Sequence, residues 1–271
     1  VALTFDPDGL SDGIRRGDPP AHMAVGEFGL RVGTPRVLAL LERHRIASTW
    51  FVPGHTLVTF PDAMAAIVAG GHEVGAHGWY HEDLATLDAD GQREILQRSR
   101  DAIDRLTGVP PRGMRCPYWS LDGETLRLVE ETGYAYDSSL MAGGVQPHLV
   151  RHGDRHSVVD GTTWGVPGRL VEIPVHSALN DWSLFEAGPS RDGLSAPSRV
   201  LEIWTEELLY AWEHEPGGVL TITMHPECIG RGHRMRMLER FIDTALGLEG
   251  VAFGRLDAYV EAWTASVATG A

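Results

Sequence analysis

Short apolar runs recur along the chain, and an amphipathic segment follows most of them. Residues 1–5, 47–52, 73–76, 113–116, 135–138, 171–175, 219–224 and 251–256 read as strands. Between and after them, apolar positions fall at helical spacing over residues 35–44, 62–69, 91–106, 123–132, 197–214, 233–247 and 256–267. The longest stretch without a clear period is 148–169, and it still carries aliphatic residues. No repeat, charge block or low-complexity linker divides the chain, so it reads as one domain over residues 1–271. Alternating strands and helices predict parallel strands joined by helices. A doubly wound open sheet gives the same alternation, but Asp-Pro-Asp follows the first strand where a dinucleotide fold needs glycines. A distorted (β/α) barrel of α/β class is the expected fold.

Composition narrows the chemistry. With 43% hydrophobic residues the chain can bury a sizeable core. Its net charge of -14 repels phosphate backbones and anionic membranes, which argues against nucleic-acid and membrane partners. All 23 basic residues are Arg, so Schiff-base chemistry and a P-loop Lys are excluded. Cys116 and Cys228 are too few for a disulfide scaffold. No apolar run is long enough to span a bilayer and no signal-like segment opens the sequence, so a cytoplasmic location is expected.

In (β/α) barrels, reactive residues gather where strands end. Asp6 and Asp8 follow the first run at i and i+2, and can share a side if the chain stays extended. A cap or turn role competes with a chemical one there. After residues 73–76 come His77 and His81, and on a helical turn that spacing places both imidazoles on one face. Together these elements offer one carboxylate and two imidazoles, a set that leaves a divalent ion with an open position. Mixed nitrogen and oxygen ligation suits zinc, and cobalt, nickel or iron remain open. The second carboxylate is then available as a base. Arg115 stands at the end of the fourth run, where it can pair with the free Asp, and His225 follows the seventh, a candidate acid. Trp79, Tyr118 and Trp182 are flat walls for a mouth, or ordinary core aromatics.

In this order, the elements resemble the polysaccharide deacetylase family. The resemblance runs through Leu3-Thr-Phe-Asp-Pro-Asp8, Thr49-Trp-Phe-Val-Pro-Gly54, Gly71-His-Glu-Val-Gly-Ala-His77 with His81, Arg115-Cys-Pro-Tyr118 and Asp137-Ser-Ser139. It continues in Glu172-Ile-Pro174 and in His225-Pro226 with Gly230-Arg231. It implies that Asp8, His77 and His81 hold one divalent metal, most simply Zn. Asp6 becomes the base, Arg115 its partner, the backbone N–H near Tyr118 an oxyanion donor and His225 the acid. Pro7 separates two Asp that are adjacent in the sugar-deacetylating members. That departure resembles the branch with an intracellular peptidoglycan-deacetylase-like protein, allantoinase-like enzymes and cyclic-imide hydrolases. Where the family has an Asp after the last His, this chain has Pro226.

The expected activity is hydrolysis of a non-peptide carbon–nitrogen bond in a small amide, imide or ureide. N-acetyl sugar or peptidoglycan deacetylation is the alternative, and a binding protein on the same barrel a distant third. The branch resemblance also implies a homo-oligomer, with a tetramer as its form. Trp204, Tyr210 and Trp212 lie on one predicted helix at spacings that cannot share a single core stripe.

Overall fold

A run such as Ala-Leu-Thr-Phe, buried at every position, suits a strand covered on both faces. The computed structural model, which describes residues 1–186 and 195–269, builds its sheet from such runs. Five parallel strands follow in chain order: β1 (Ala2–Phe5), β2 (Thr49–Val52), β3 (Glu73–Ala76), β4 (Gly113–Met114) and β5 (Tyr136–Asp137). A hairpin of β6 (His148–His152) and β9 (Val166–Glu172) joins β5 through β9, and its tip carries a separate ribbon of β7 (Arg155–Ser157) and β8 (Gly161–Thr163). The final strand, β10 (Thr221–Met224), lies parallel to β1 on its other side.

Closure is partial. A parallel bridge from Asn180 to Thr223 and a bond from the Val219 N–H to the Val145 carbonyl bring the far end of the sheet to β10. The result is the expected distorted barrel. Alternation along the strands sorts the side chains. Leu3, Phe5, Trp50, Val52, Val74 and Met114 join the large core shared with the surrounding helices. Ala2, Phe51, Tyr136 and Val171 form a second cluster, capped by Leu256 and Val260. Two glycines make room within it: a Cβ on Gly113 would lie 2.1 Å from the Tyr136 ring, and one on Gly75 2.7 Å from Phe51.

Three expectations need correction. Residues 251–256 form no strand. The segment is tied by the Val1 amine to the Ala252 carbonyl and by the Gly254 N–H to the Val1 carbonyl, and the helix that starts at Leu256 is held by the Leu256 N–H to Thr49 Oγ1 and the Asp257 N–H to Glu73. The aperiodic stretch 148–169 is the β6–β9 hairpin with its ribbon, whose faces are too exposed to show an alternating pattern. Between β1 and β2, two helices, Ser11–Arg16 and Pro20–Phe28, and a π turn, Gly29–Gly33, precede the predicted Thr34–His44 helix. Of the three aromatic residues on the Pro197–His214 helix, Trp204 is buried against Phe241, while Tyr210 and Trp212 are exposed. Among the described residues, no helix is long and apolar enough to cross a membrane.

Candidate active site

The parity that sends Ala2 and Thr4 inward sends Asp6 inward too, just past β1. Arg115, past β4, reaches it across the barrel. The guanidinium Nη1 donates to Asp6 Oδ1 at 2.9 Å and to Thr4 Oγ1 at 2.8 Å. Nε and Nη2 bond Ser138 O and Oγ, both at 3.0 Å, and the group stacks 4.3 Å from the Phe51 ring centroid. Arg115 is fully buried and Asp6 nearly so, which makes this a desolvated ion pair whose guanidinium is further held by Thr4 and Ser138.

Past β3, His77 and His81 are brought together by a tight turn rather than a helical one. Gly78 and His81 both have left-handed backbones, with φ of 67° and 63°. The buried Glu82 carboxylate closes the turn by accepting the N–H groups of Trp79 at 2.8 Å and Tyr80 at 3.1 Å. Nδ1 of His77 donates to the Arg115 carbonyl at 2.7 Å, leaving the Nε2 lone pair facing inward. That Nε2 lies 3.6 Å from Asp8 Oδ1, and Nε2 of His81 lies 3.4 Å from Asp8 Oδ2. One ligand atom from each of the three residues lies within 4.8 Å of the others.

This donor set fits a divalent cation. Asp8 Oδ1 is buried without a hydrogen-bond partner. Burial pushes His77 down to about 4, against the pull of Asp6, and pushes His81 well below its ordinary value, so both imidazoles are in the neutral, ligating form. Burial, reinforced by the charges of Glu227, Asp6 and Asp12, raises Asp8 despite His225, a penalty that a bound cation removes.

His225, past β10, faces the same space, with Nε2 3.9 Å from Asp8 Oδ2. Its Nδ1 bonds Asp181 Oδ1 at 2.8 Å, and its backbone N–H donates to Asp181 Oδ2 at 3.0 Å. Burial works against charge on His225, but Asp181, aided by Asp8 and Asp6, carries it up to about 10. The substitution of Pro226 for an acidic residue therefore leaves His225 oriented, because Asp181 does this from another element. Asp181 immediately precedes Trp182, a signal that the strand-end reading passed over. Glu227, also missed, lines the cavity, accepts from the Gly9 N–H at 3.3 Å and is raised to about 7 by burial.

A cavity of about 670 Å³ opens over these groups. Tyr118 and Trp182 stand in its wall, and residues of the Ser11–Arg16 and Pro20–Phe28 helices roof it. Trp79 does not line it. Its ring packs over Gly54, where a Cβ would lie 2.2 Å away, and beneath Arg98, whose guanidinium carbon is 3.6 Å from the ring centroid. The turn after β4 is strained: Tyr118 and Trp119 have φ of 58° and 55°. Both cysteines are buried, and burial raises their thiols, so neither is a poised nucleophile.

Comparison with known proteins gives the family. Residues 1–136 match the polysaccharide deacetylase family. A peptidoglycan deacetylase of Helicobacter pylori is 33% identical over 247 residues, covering 86% of this chain and 84% of its own. A peptidoglycan deacetylase-like protein of Gibberella zeae is 32% identical, covering 86% of this chain and 76% of its own. Among solved structures, a Mycobacterium smegmatis protein classed with the polysaccharide deacetylases superposes with TM-score 0.83 at 31% identity, covering 98% of this chain and 90% of its own. An allantoinase with the same coverage superposes with TM-score 0.81 at 24% identity, which is a likeness of fold. The chain belongs to the polysaccharide deacetylase family and is a hydrolase of carbon–nitrogen bonds.

Proposed function

We propose that the chain is a metal-dependent amide hydrolase that removes the acetyl group from an N-acetylated amino sugar. The observation that carries the chemistry is the convergence of three groups on one cavity: the Asp8, His77 and His81 set, Asp6 held by Arg115, and His225 held by Asp181. The deacetylase relatives support the sugar.

Asp8, His77 and His81 would hold a divalent ion, zinc being the simplest, which would supply the Lewis acidity that activates water and polarises the acyl carbonyl. Asp6 accepts the proton of the attacking water, and Arg115 fixes the aim of that carboxylate. The Tyr118 N–H, presented by its left-handed backbone, donates to the developing oxyanion. His225 donates a proton to the departing amine, and Asp181 holds the imidazolium in place. Tyr118 and Trp182 flank the acyl-bearing ring.

A second reading, hydrolysis of a small cyclic imide or ureide, is supported by the two roofing helices, which enclose the cavity over the ligand set. Incubating the Zn-loaded protein with N-acetylated amino sugars, cyclic imides and ureides separates the two. Acetate release from the sugars is the expected result. Ring opening or ureide cleavage without acetate release would replace it with the second reading, and inertness toward all three classes would end both.

A further inference from the structure

His77 and His81 both turn Nε2 toward Asp8, yet their opposite nitrogens are treated differently. Nδ1 of His77 has the Arg115 carbonyl at 2.7 Å. Nδ1 of His81 is buried with no hydrogen-bond partner. A metal-binding imidazole normally donates its second N–H to an acceptor, which fixes the tautomer and the ring. A buried N–H left without one is costly.

The acceptor within reach is Asp12, whose Oδ1 lies 3.7 Å from His81 Nδ1. Asp12 sits in the first turn of the Ser11–Arg16 helix, and the chemistry above does not use it. Three neighbours clamp its carboxylate. Oδ1 accepts from the Tyr118 hydroxyl and from Arg15 Nη2, the latter at 3.1 Å, and Oδ2 pairs with Arg16 Nη1 at 2.8 Å. The Tyr118 ring stands edge-on to His81 with centroids 4.3 Å apart, so the same tyrosine packs the imidazole and holds the carboxylate.

We infer that Asp12 is the positioning carboxylate of His81: it accepts a hydrogen bond from Nδ1–H and so presents the Nε2 lone pair to the ion site. The separation of 3.7 Å is just beyond a hydrogen bond, and the two groups need close by only a few tenths of an ångström to make it. The role rests on reading Asp8, His77 and His81 as the ligand set. It gives the helix after β1 a task in metal binding that a roof alone does not have. It also ties a wall residue, Tyr118, to the ligand geometry, so that a substitution in the wall is felt at His81.

Zn²⁺ titration in competition with a chromogenic chelator tests this on the wild type, Asp12→Ala, Asp12→Asn and His77→Ala. Nitrogen NMR of the His81 ring in the metal-free proteins accompanies it. Asp12→Ala is expected to weaken Zn²⁺ binding by about 10- to 100-fold. Asp12→Asn, whose amide oxygen still accepts a hydrogen bond from Nδ1–H, is expected to recover most of that loss. The His81 ring should be the Nδ1–H tautomer in the wild type and a mixture in Asp12→Ala. Equal affinity in the wild type and Asp12→Ala, or equal loss in the Ala and Asn variants, overturns the inference and leaves the ligand set standing. Equal affinity in the wild type and His77→Ala overturns the ligand set and the inference with it.

Discussion

His225 and Asp181, 44 residues apart in sequence, are joined by a bond of 2.8 Å between Nδ1 and Oδ1. Asp181 is wholly buried, and its second oxygen accepts the His225 backbone N–H, so ring and backbone are held by one carboxylate. An imidazole fixed at Nδ1 offers its proton from Nε2 alone, and Nε2 is the nitrogen that faces Asp8. Asp181→Asn should therefore lower kcat by about 10²-fold, toward the lower end of what a general acid contributes, with little change in KM. Combining it with His225→Ala should cost little more than His225→Ala alone, since the two act as a unit. Steady-state kinetics of the cycle checks this, and additive losses would separate the residues.

Asp6 and Arg115 divide differently between stability and activity. Asp6→Asn keeps an acceptor for the guanidinium, which also retains Thr4 and Ser138. It should fold and bind Zn²⁺ as the wild type does while losing about 10²–10⁴ in turnover, because an amide oxygen is no base. Arg115→Met leaves a buried carboxylate without its cation and should cost about 3–5 kcal/mol in urea unfolding. Wild-type turnover in Asp6→Asn would move the base to another residue.

The two halves of the site were not equally legible. Asp6, Asp8, His77 and His81 were readable because the members of each pair are close in sequence and follow directly on a strand. Yet the sequence suggested a helical turn between the histidines, whereas Gly78 and Glu82 make a left-handed one that no periodicity encodes. Asp181 was invisible as a partner because only the fold brings it to His225. The strand expected at 251–256 is apolar, but its N–H groups are scattered, Val251 to the Leu248 carbonyl, Gly254 to the Val1 carbonyl and Leu256 to the Thr49 side chain, instead of forming a ladder. The roofing helices were hidden by their glycines and prolines, residues that ordinarily argue against helix. The packing explains one of them, Gly26, where a Cβ would lie 1.9 Å from the Gly9 carbonyl oxygen, and also Gly29 at the start of the π turn that follows, where one would lie 2.8 Å from Glu227.

That close approach makes a prediction of its own. Gly26→Ala cannot be absorbed by a flexible side chain, because the atom it meets is backbone, one residue beyond Asp8. The Pro20–Phe28 helix must lift or the Asp8–Gly9 segment must shift. Destabilisation of about 1–3 kcal/mol is expected, the usual range for overpacking, together with weaker Zn²⁺ binding. Calorimetric melting and metal titration of the variant measure both. Wild-type values in each would show that the roof has room the contact denies.

The last prediction concerns Glu73, at the barrel end away from the ligand set. Burial, with the charge of Asp257 added, raises its carboxyl to about 7, against hydrogen bonds from Tyr136, the Asp257 N–H and Thr49 that favour the anion. In an unfolded chain a Glu titrates near 4.3–4.5. The folded state therefore binds the proton more tightly, and the stability this confers is complete below about 4.5 and lost as pH rises through about 7. Glu73→Gln removes the titration while keeping an oxygen for Thr49 and the Asp257 N–H. Urea unfolding of both proteins from pH 4.5 to 8 should show the wild type losing stability relative to the variant by up to about 1.4 kcal/mol per pH unit inside that window, and running parallel to it above. Parallel curves throughout would mean that Glu73 is already ionised at the bottom of the range, its three donors outweighing its burial.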